Sequence, residues 1–300
     1  MDHRLLFFFT LLCGVLSGAN AQDKAVSEYI SVNGTQRNML VYAPADLAEN
    51  APLLISLHGM NQDAAYQQKQ SDWESIAKEE KFVVVYPNGI DHSWDIGNTS
   101  VSSNKDMKFF TVIIDEMVKR YKIDTKRVYL SGFSMGGMMT YFCANYMDEK
   151  FAAFAPVSGY LMWGDPVCSS RPIPIIHTHG NADDVVTYDN VKARVSAWAA
   201  HNDCKMPPTT VTPWPKNKPN SKSSRTTWEA GEGGVEVVLN TLDGKGHWHS
   251  NDPAGVMTSE EIWEFVSKYT LTEKIEEPEG INHALKVTTS EPQANIWDWQ

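Results

Sequence analysis

Gly132-Phe133-Ser134-Met135-Gly136 is the strongest chemical signal in the chain. It follows an apolar run, Val128–Leu130, and precedes a helical pattern. A turn that tight from strand to helix leaves no room for bulk on either side of the serine. The hydroxyl is pushed out at the carboxyl edge of a sheet, above a helix N-terminus. Ser134 is therefore the candidate nucleophile.

A serine hydroxyl attacks only when a base takes its proton, and the base needs an acceptor to hold its tautomer. In the order expected of a strand–turn–helix nucleophile, the acid comes next and the histidine last. Downstream of the run Ile173–Ile176 stands His177-Thr178-His179-Gly180-Asn181-Ala182-Asp183-Asp184. Two adjacent acids cannot both point inward; Asp183 is favoured, and Asp184 reads as a cap or turn residue. Gly244-Lys245-Gly246-His247-Trp248-His249 lies on a loop before the last helical pattern. His247 is favoured as the base, with His249 a loop or pocket residue. The oxyanion formed in the reaction needs fixed N–H donors. These are expected from the backbone of Met135 and, in the loop His58-Gly59-Met60, of Met60. His58 reads as a brace for that loop. Trp94, Trp163 and Trp248 lie in loops that follow strands and are read as substrate-binding rings.

The same histidines admit another chemistry. His177/His179 and His247/His249 are two H-x-H pairs, and alternate residues on a strand share a face, as zinc ligands would. With Asp183 or Asp184 a metal hydrolase can be drawn, but it leaves the serine turn unexplained. No cofactor and no metal are expected. A binding module with a decayed site is disfavoured because every catalytic group is present.

The elements that must position these groups alternate. Strand-like stretches near Tyr29–Val32 and Arg37–Tyr42 flank the turn signal Asn33-Gly34. Apolar runs follow at Pro52–Leu57, Phe82–Tyr86, Val128–Leu130, Phe154–Val157 and Ile173–Ile176. Such unbroken runs suit strands buried on both faces. Helices are expected from a capping box at Ser71-Asp72-Trp73-Glu74, over Phe109–Tyr121, Met138–Met147 and Val191–His201, and from a cap at Thr258-Ser259-Glu260-Glu261 to about Tyr269. The class is α/β with a mostly parallel central sheet flanked by helices. Residues 206–224, rich in Pro, Lys, Asn and Ser, read as a long surface loop.

The N-terminus carries Arg4, an apolar run from Leu5 to Leu12, and the small residues Ala19 and Ala21. That is the pattern of a secretory signal over residues 1–21, so the protein is expected outside the cytoplasm, extracellular or periplasmic. Residues 22–271 form the expected catalytic domain; the polar, acidic residues 272–300 read as a tail or a linker to a further module. A formal net charge of −11 argues against nucleic acid or anionic lipid as a partner, since phosphate binding needs clustered cations. In an oxidising compartment one cysteine pair is expected. Cys168 and Cys204 lie in loop-like sequence and are the expected pair, while Cys143 falls in a helix.

Five motifs in order resemble carbohydrate esterase family 1, in the branch of polyhydroxybutyrate depolymerases and bacterial feruloyl esterases. They are Leu57-His58-Gly59-Met60, Tyr86-Pro87-Asn88-Gly89, Gly132-Phe133-Ser134-Met135-Gly136-Gly137, His179-Gly180-Asn181-Ala182-Asp183 and Gly246-His247. The resemblance spans about Arg37 to Tyr269 and implies an α/β-hydrolase fold, with nucleophile, acid and base as read above. One departure is Trp248-His249, where such proteins have Trp-Pro. The implied substrates are plant cell-wall esters, esterified xylan or xylo-oligosaccharides: ferulate on arabinoxylan first, acetylated xylan as the alternative, then polyester. Ten tryptophans and an acidic surface suit polysaccharide better than polyester granules.

Overall fold

The computed structural model describes residues 24–162, 167–231 and 233–271. The signal-like residues 1–21, Trp163 and the tail 272–300 lie outside that set. Among the described residues ten strands form one sheet: β1 (Val26–Val32), β2 (Thr35–Tyr42), β3 (Leu53–Leu57), β4 (Val83–Pro87), β5 (Val128–Phe133), β6 (Ala153–Val157), β7 (Ile175–Gly180), β8 (Thr209–Val211), β9 (Ser224–Trp228) and β10 (Val237–Leu242). Their spatial order is β1-β2-β4-β3-β5-β6-β7-β10-β9-β8. The six central strands from β4 to β10 are parallel, and antiparallel pairs finish both edges. The expected hairpin is present, with Asn33 and Gly34 both at positive φ as a two-residue turn requires.

Among the described residues six α-helices connect the strands: α1 (Ala64–Ser71), α2 (Trp73–Glu80), α3 (Lys105–Tyr121), α4 (Met135–Tyr146), α5 (Val191–His201) and α6 (Thr258–Val266). The central strands alternate between two cores. Leu53, Ile55 and Leu57 of β3 join Phe110 and Ile113 of α3, Met139 of α4 and Val195 of α5 on one face. Leu54 meets Trp73 of α2 and Ile262 of α6 on the other. Both faces of the parallel strands are covered, which is why their sequences read as unbroken apolar runs.

Four expectations need correction. The capping box at Ser71 does not exist: Ser71 ends α1, its hydroxyl donating to Gln67 O, and Asp72 turns left-handed into α2. The last helix has no side-chain cap either, because the Thr258 hydroxyl donates across to Ser250 O at 2.5 Å. The stretch 206–224 is not all loop. It contains β8, and Trp214 is tied down by Glu261, which accepts from its indole N–H at 2.8 Å and from Arg225 at 2.6 Å. Finally, β7 extends through His177-Thr178-His179 to Gly180, because the unforeseen β10 pairs with it from Val237↔Ile175 to Leu242↔Gly180.

Cys168 and Cys204 are not joined; both are free, as is Cys143. Their sulfurs face different partners: Cys204 lies buried 3.6 Å from Val235 O, and Cys168 is exposed 3.9 Å from the Tyr146 hydroxyl. A bridge needs Cβ atoms about 3.8 Å apart. Burial pushes the Cys143 thiol well above its ordinary range and raises that of Cys204. A maleimide should therefore label Cys168 in the native protein. Cys143 and Cys204 should react more than about 100-fold slower, as expected of sites reached only by opening that costs ~3 kcal/mol. Peptide mapping without reductant checks this, and a recovered Cys168–Cys204 bridge would contradict it.

Candidate active site

The carboxyl ends of β3, β5, β7 and β10 converge on Ser134. Ser134 stands between β5 and α4 with φ 56° and ψ −119°, outside the regions an L-residue adopts freely. Such backbone costs on the order of 1–3 kcal/mol and persists only where the surroundings enforce it. Here Ser134 N–H is tied to Val157 O at 2.9 Å, and a Cβ on Gly132 would lie only 2.3 Å from Gly136 O. The glycines are therefore a steric necessity of the turn.

His247 comes from the loop after β10. That loop presses so closely on β7 that a Cβ on Gly180 would meet Lys245 O at 2.1 Å. The contact delivers the imidazole to the serine: Ser134 Oγ and His247 Nε2 are 2.8 Å apart, and His247 Nδ1 is 2.8 Å from Asp183 Oδ2. Asp183 lies in the turn after β7 with its side chain fully buried. Its Oδ1 accepts from the N–H groups of Val185 and Val186 at 3.0 and 2.9 Å. Burial alone would raise its pKa. Hydrogen bonds from His179, His247, Val186 and Val185 outweigh that and hold the carboxyl well below its ordinary range. The neighbouring Asp184 is exposed.

The loop after β3 closes the other side. A Cβ on Gly59 would sit 3.1 Å from Ser134 Cβ, so the Met60 backbone lies beside the nucleophile. Among the described residues neither the Met60 N–H nor the Met135 N–H has an acceptor. His58 braces this loop, as its position suggested. Its Nδ1–H donates to Gly59 O at 2.7 Å, and its Nε2 accepts from Gly89 N at 3.0 Å. Burial lowers its pKa, so it stays neutral in that role. Gln62, which the sequence did not single out, takes the Gly59 N–H on its Oε1 at 2.9 Å.

Trp94 is not a substrate ring. It is 3 % exposed, packs on His58 and Phe110, and donates its indole N–H to His58 O at 2.8 Å. The segment after β4 folds back over the β3 loop, turning this tryptophan into a second brace. Trp248 does stand at the surface, 61 % exposed, next to His247. His249 is buried, with Nε2 2.9 Å from Ser259 Oγ, and burial pushes its pKa down to about 3. The two H-x-H pairs do not converge: His177 and His179 bond each other inside the sheet, and His249 points away toward α6. Among the described residues no three His, Cys, Asp or Glu side chains are grouped to hold a metal ion.

A parallel sheet in this order, with a serine on a strained turn and a histidine and an aspartate on later loops, is the α/β-hydrolase fold. Residues 91–212 match a family model described as phospholipase/carboxylesterase. The chain is 43% identical over 250 residues to a bifunctional acetylxylan esterase/xylanase of Neocallimastix patriciarum, covering 83% of this chain and 36% of that protein. It is 26% identical over 260 residues to a feruloyl esterase B of Piromyces equi, covering 78% and 46%. The chain thus spans less than half the length of either relative. Among solved structures, an acetyl xylan esterase from Aspergillus awamori superposes with a TM-score of 0.63 at 18% identity, over 81% of this chain and 99% of that one. These relatives agree with the resemblance that the five motifs carry.

Proposed function

We propose that this chain is a serine carboxylic ester hydrolase acting on esterified xylan, with acetyl groups as its principal acyl substrate. The observation that carries the chemistry is the continuous hydrogen-bonded path Ser134–His247–Asp183, each link 2.8 Å long. His247 Nε2 takes the Ser134 proton as Oγ adds to the ester carbonyl, and the new oxyanion turns toward the N–H groups of Met60 and Met135. Collapse breaks the bond to the sugar oxygen, which takes the proton back from His247. A water molecule, deprotonated by the same imidazole, then releases the acid and frees the serine. Asp183, acceptor-only in its ionised form, keeps His247 in the Nδ1–H tautomer throughout.

The acyl preference is supported by the 43% identity to a bifunctional acetylxylan esterase/xylanase, together with the removal of Trp94 from the substrate surface. A feruloyl preference is the second reading. It is favoured by the exposed Trp248 beside the base and by the feruloyl esterase relative. Stacking of one ring on a phenyl-propenoyl group is worth about 0.5–1.5 kcal/mol. We further propose that residues 1–21 direct export, that 22–271 form the esterase domain, and that 272–300 lead to another module. In support of the last point, the Neocallimastix relative carries two activities in a longer chain. Among the described residues no helix is long and apolar enough to cross a membrane.

Comparison of kcat/KM on an acetylated xylo-oligosaccharide, methyl ferulate and a hydroxybutyrate oligomer tests the reading. Acetyl release should be at least about twentyfold faster than ferulate release, more than the stacking of one ring, about twelvefold at most, can offset. A preference for methyl ferulate would establish the second reading instead. The same assay should show kcat/KM rising with pH, because only a neutral base can take the serine proton. His249→Gln should keep that limb, since burial lowers the His249 pKa and its ring faces Ser259, away from the serine. Loss of the limb in that variant, with the limb retained in His247→Gln, would reassign the base.

A further inference from the structure

The hydrogen-bonded path does not stop at Asp183. His177 and His179 are two residues apart on β7 and share a face. Their rings are parallel to within 6°, centroids 5.2 Å apart, and both are fully buried. The Tyr141 hydroxyl, on α4, is 2.8 Å from His177 Nδ1, and His177 Nε2 is 2.9 Å from His179 Nδ1. His179 Nε2 is 2.7 Å from Val186 O and 3.2 Å from Asp183 Oδ2.

For neutral rings, the direction of every link follows from donor and acceptor chemistry. A carbonyl and an ionised carboxylate only accept, so His179 Nε2 carries a hydrogen. A neutral imidazole has one N–H, which leaves His179 Nδ1 as an acceptor. His177 Nε2 must then donate, His177 Nδ1 must accept, and the Tyr141 hydroxyl donates to it. Burial, with His179 alongside, pushes the His177 pKa well below its ordinary value, which keeps that ring neutral. A cationic His179 would reverse the two upper links, with His177 accepting on Nε2 and donating from Nδ1 to the Tyr141 hydroxyl. With both rings neutral the chain runs from Tyr141 toward Asp183.

We propose that His177 and His179 are positioning residues that hold the His179 N–H, bonded to Val186 O, 3.2 Å from Asp183 Oδ2, the oxygen that also takes His247 Nδ1–H, and so set how much of the carboxylate's charge reaches the base. This rests on the roles proposed above for Ser134, His247 and Asp183. The positive end of that N–H dipole beside Oδ2 draws charge away from His247. Its removal leaves the imidazolium better paired, so neutral imidazole appears only at higher pH. The other groups facing these rings are few. His179 meets the rings of Tyr188 and Tyr160 at 5.9 and 6.2 Å, with Arg194 5.9 Å from the Tyr160 ring. His247 meets Ser134, Asp183 and the Phe133 ring, while Lys245 on its own loop is paired with Asp252.

Two measurements test this. Long-range 1H–15N correlation on the wild-type protein near pH 7 should show His177 and His179 as neutral Nε2–H tautomers and His247 as Nδ1–H. An Nδ1–H tautomer at His177, or a cationic His179, would overturn the proposal. This readout needs no turnover, so it separates failure of the chain from failure of the esterase reading. In the second, His179→Leu removes the donor, whereas His179→Gln keeps an amide N–H that can reach the same oxygen. The ascending limb of kcat/KM should move up by about half a pH unit or more in the leucine variant, and by less than half that in the glutamine variant. An unmoved limb in a folded leucine variant, or equal shifts in both, would leave His179 a packing residue only. Should the leucine variant fail to fold, the wild-type tautomers and the glutamine limb decide.

Discussion

Ser134→Ala is expected to lower kcat/KM for ester hydrolysis by about 10⁴-fold or more while the protein stays folded. The size follows from what the hydroxyl does. It is the atom that bonds to the acyl carbon, so its loss removes the covalent route and leaves only the oxyanion donors and substrate binding. Stability should change little. Alanine keeps the Cβ that already tolerates the φ of 56°, and the lost hydrogen bond to His247 is partly exposed, a loss of about 1 kcal/mol. Thermal melts and steady-state kinetics on the same preparation separate the two effects. A folded alanine variant retaining a tenth of the wild-type rate would refute a serine mechanism. It would also discount the hydrogen-bond path as evidence for one.

The parts of this site that could be read in the sequence are those whose cause is local. Gly132-Phe133-Ser134-Met135-Gly136 announces itself because the steric demand of the turn falls on residues within two positions of the serine. His247 was legible for a similar reason: the glycines before it let a loop bend back toward β7. What was missed depends on contacts distant in the chain. Trp94 follows a strand, as pocket residues do, but its segment is held inward by the buried Arg37–Asp106 pair. Arg37 donates to Asn88 O at 3.0 Å and Asp106 accepts the Asp95 N–H at 2.7 Å. Nothing near residue 94 signals that.

The strand β10 was missed because Asn240 and Thr241 interrupt its apolar run and glycines precede it. Its absence from the reading misplaced the end of β7. That left His177 and His179 past the expected strand end, open to a reading as metal ligands, when they are buried residues of a central strand. The expected disulfide failed differently. Compartment and parity say that a pair is favourable, but only the fold says which sulfurs meet, and these face different partners.

The choice between Asp183 and Asp184 was open in the sequence and leads to the second large expected effect. Asp183→Asn should lower kcat/KM by about 10⁴-fold, the size the corresponding change has in another serine hydrolase. Asp184→Asn should leave it within about twofold, as for an exposed surface change. The backbone makes the choice: the Asp183 N–H bonds Gly180 O at 3.2 Å, and its Oδ1 caps the N–H groups of Val185 and Val186, which turns Oδ2 toward His247. An asparagine there lacks the charge that stabilises the imidazolium. If its amide nitrogen faced His247 Nδ1, the ring would carry its hydrogen on Nε2 and could not accept the serine proton. The substitution should also cost stability in a pH-dependent way. The folded pKa of Asp183 lies below the unfolded one, so its contribution is fully present above the ordinary carboxylate range and is lost as pH falls through the folded value. The stability gap between wild type and Asp183→Asn, read from urea melts, should therefore be widest near pH 7 and narrow below about pH 4. A gap independent of pH, or an Asp184→Asn variant as inactive as Asp183→Asn, would show that the carboxylate serving His247 has been misassigned.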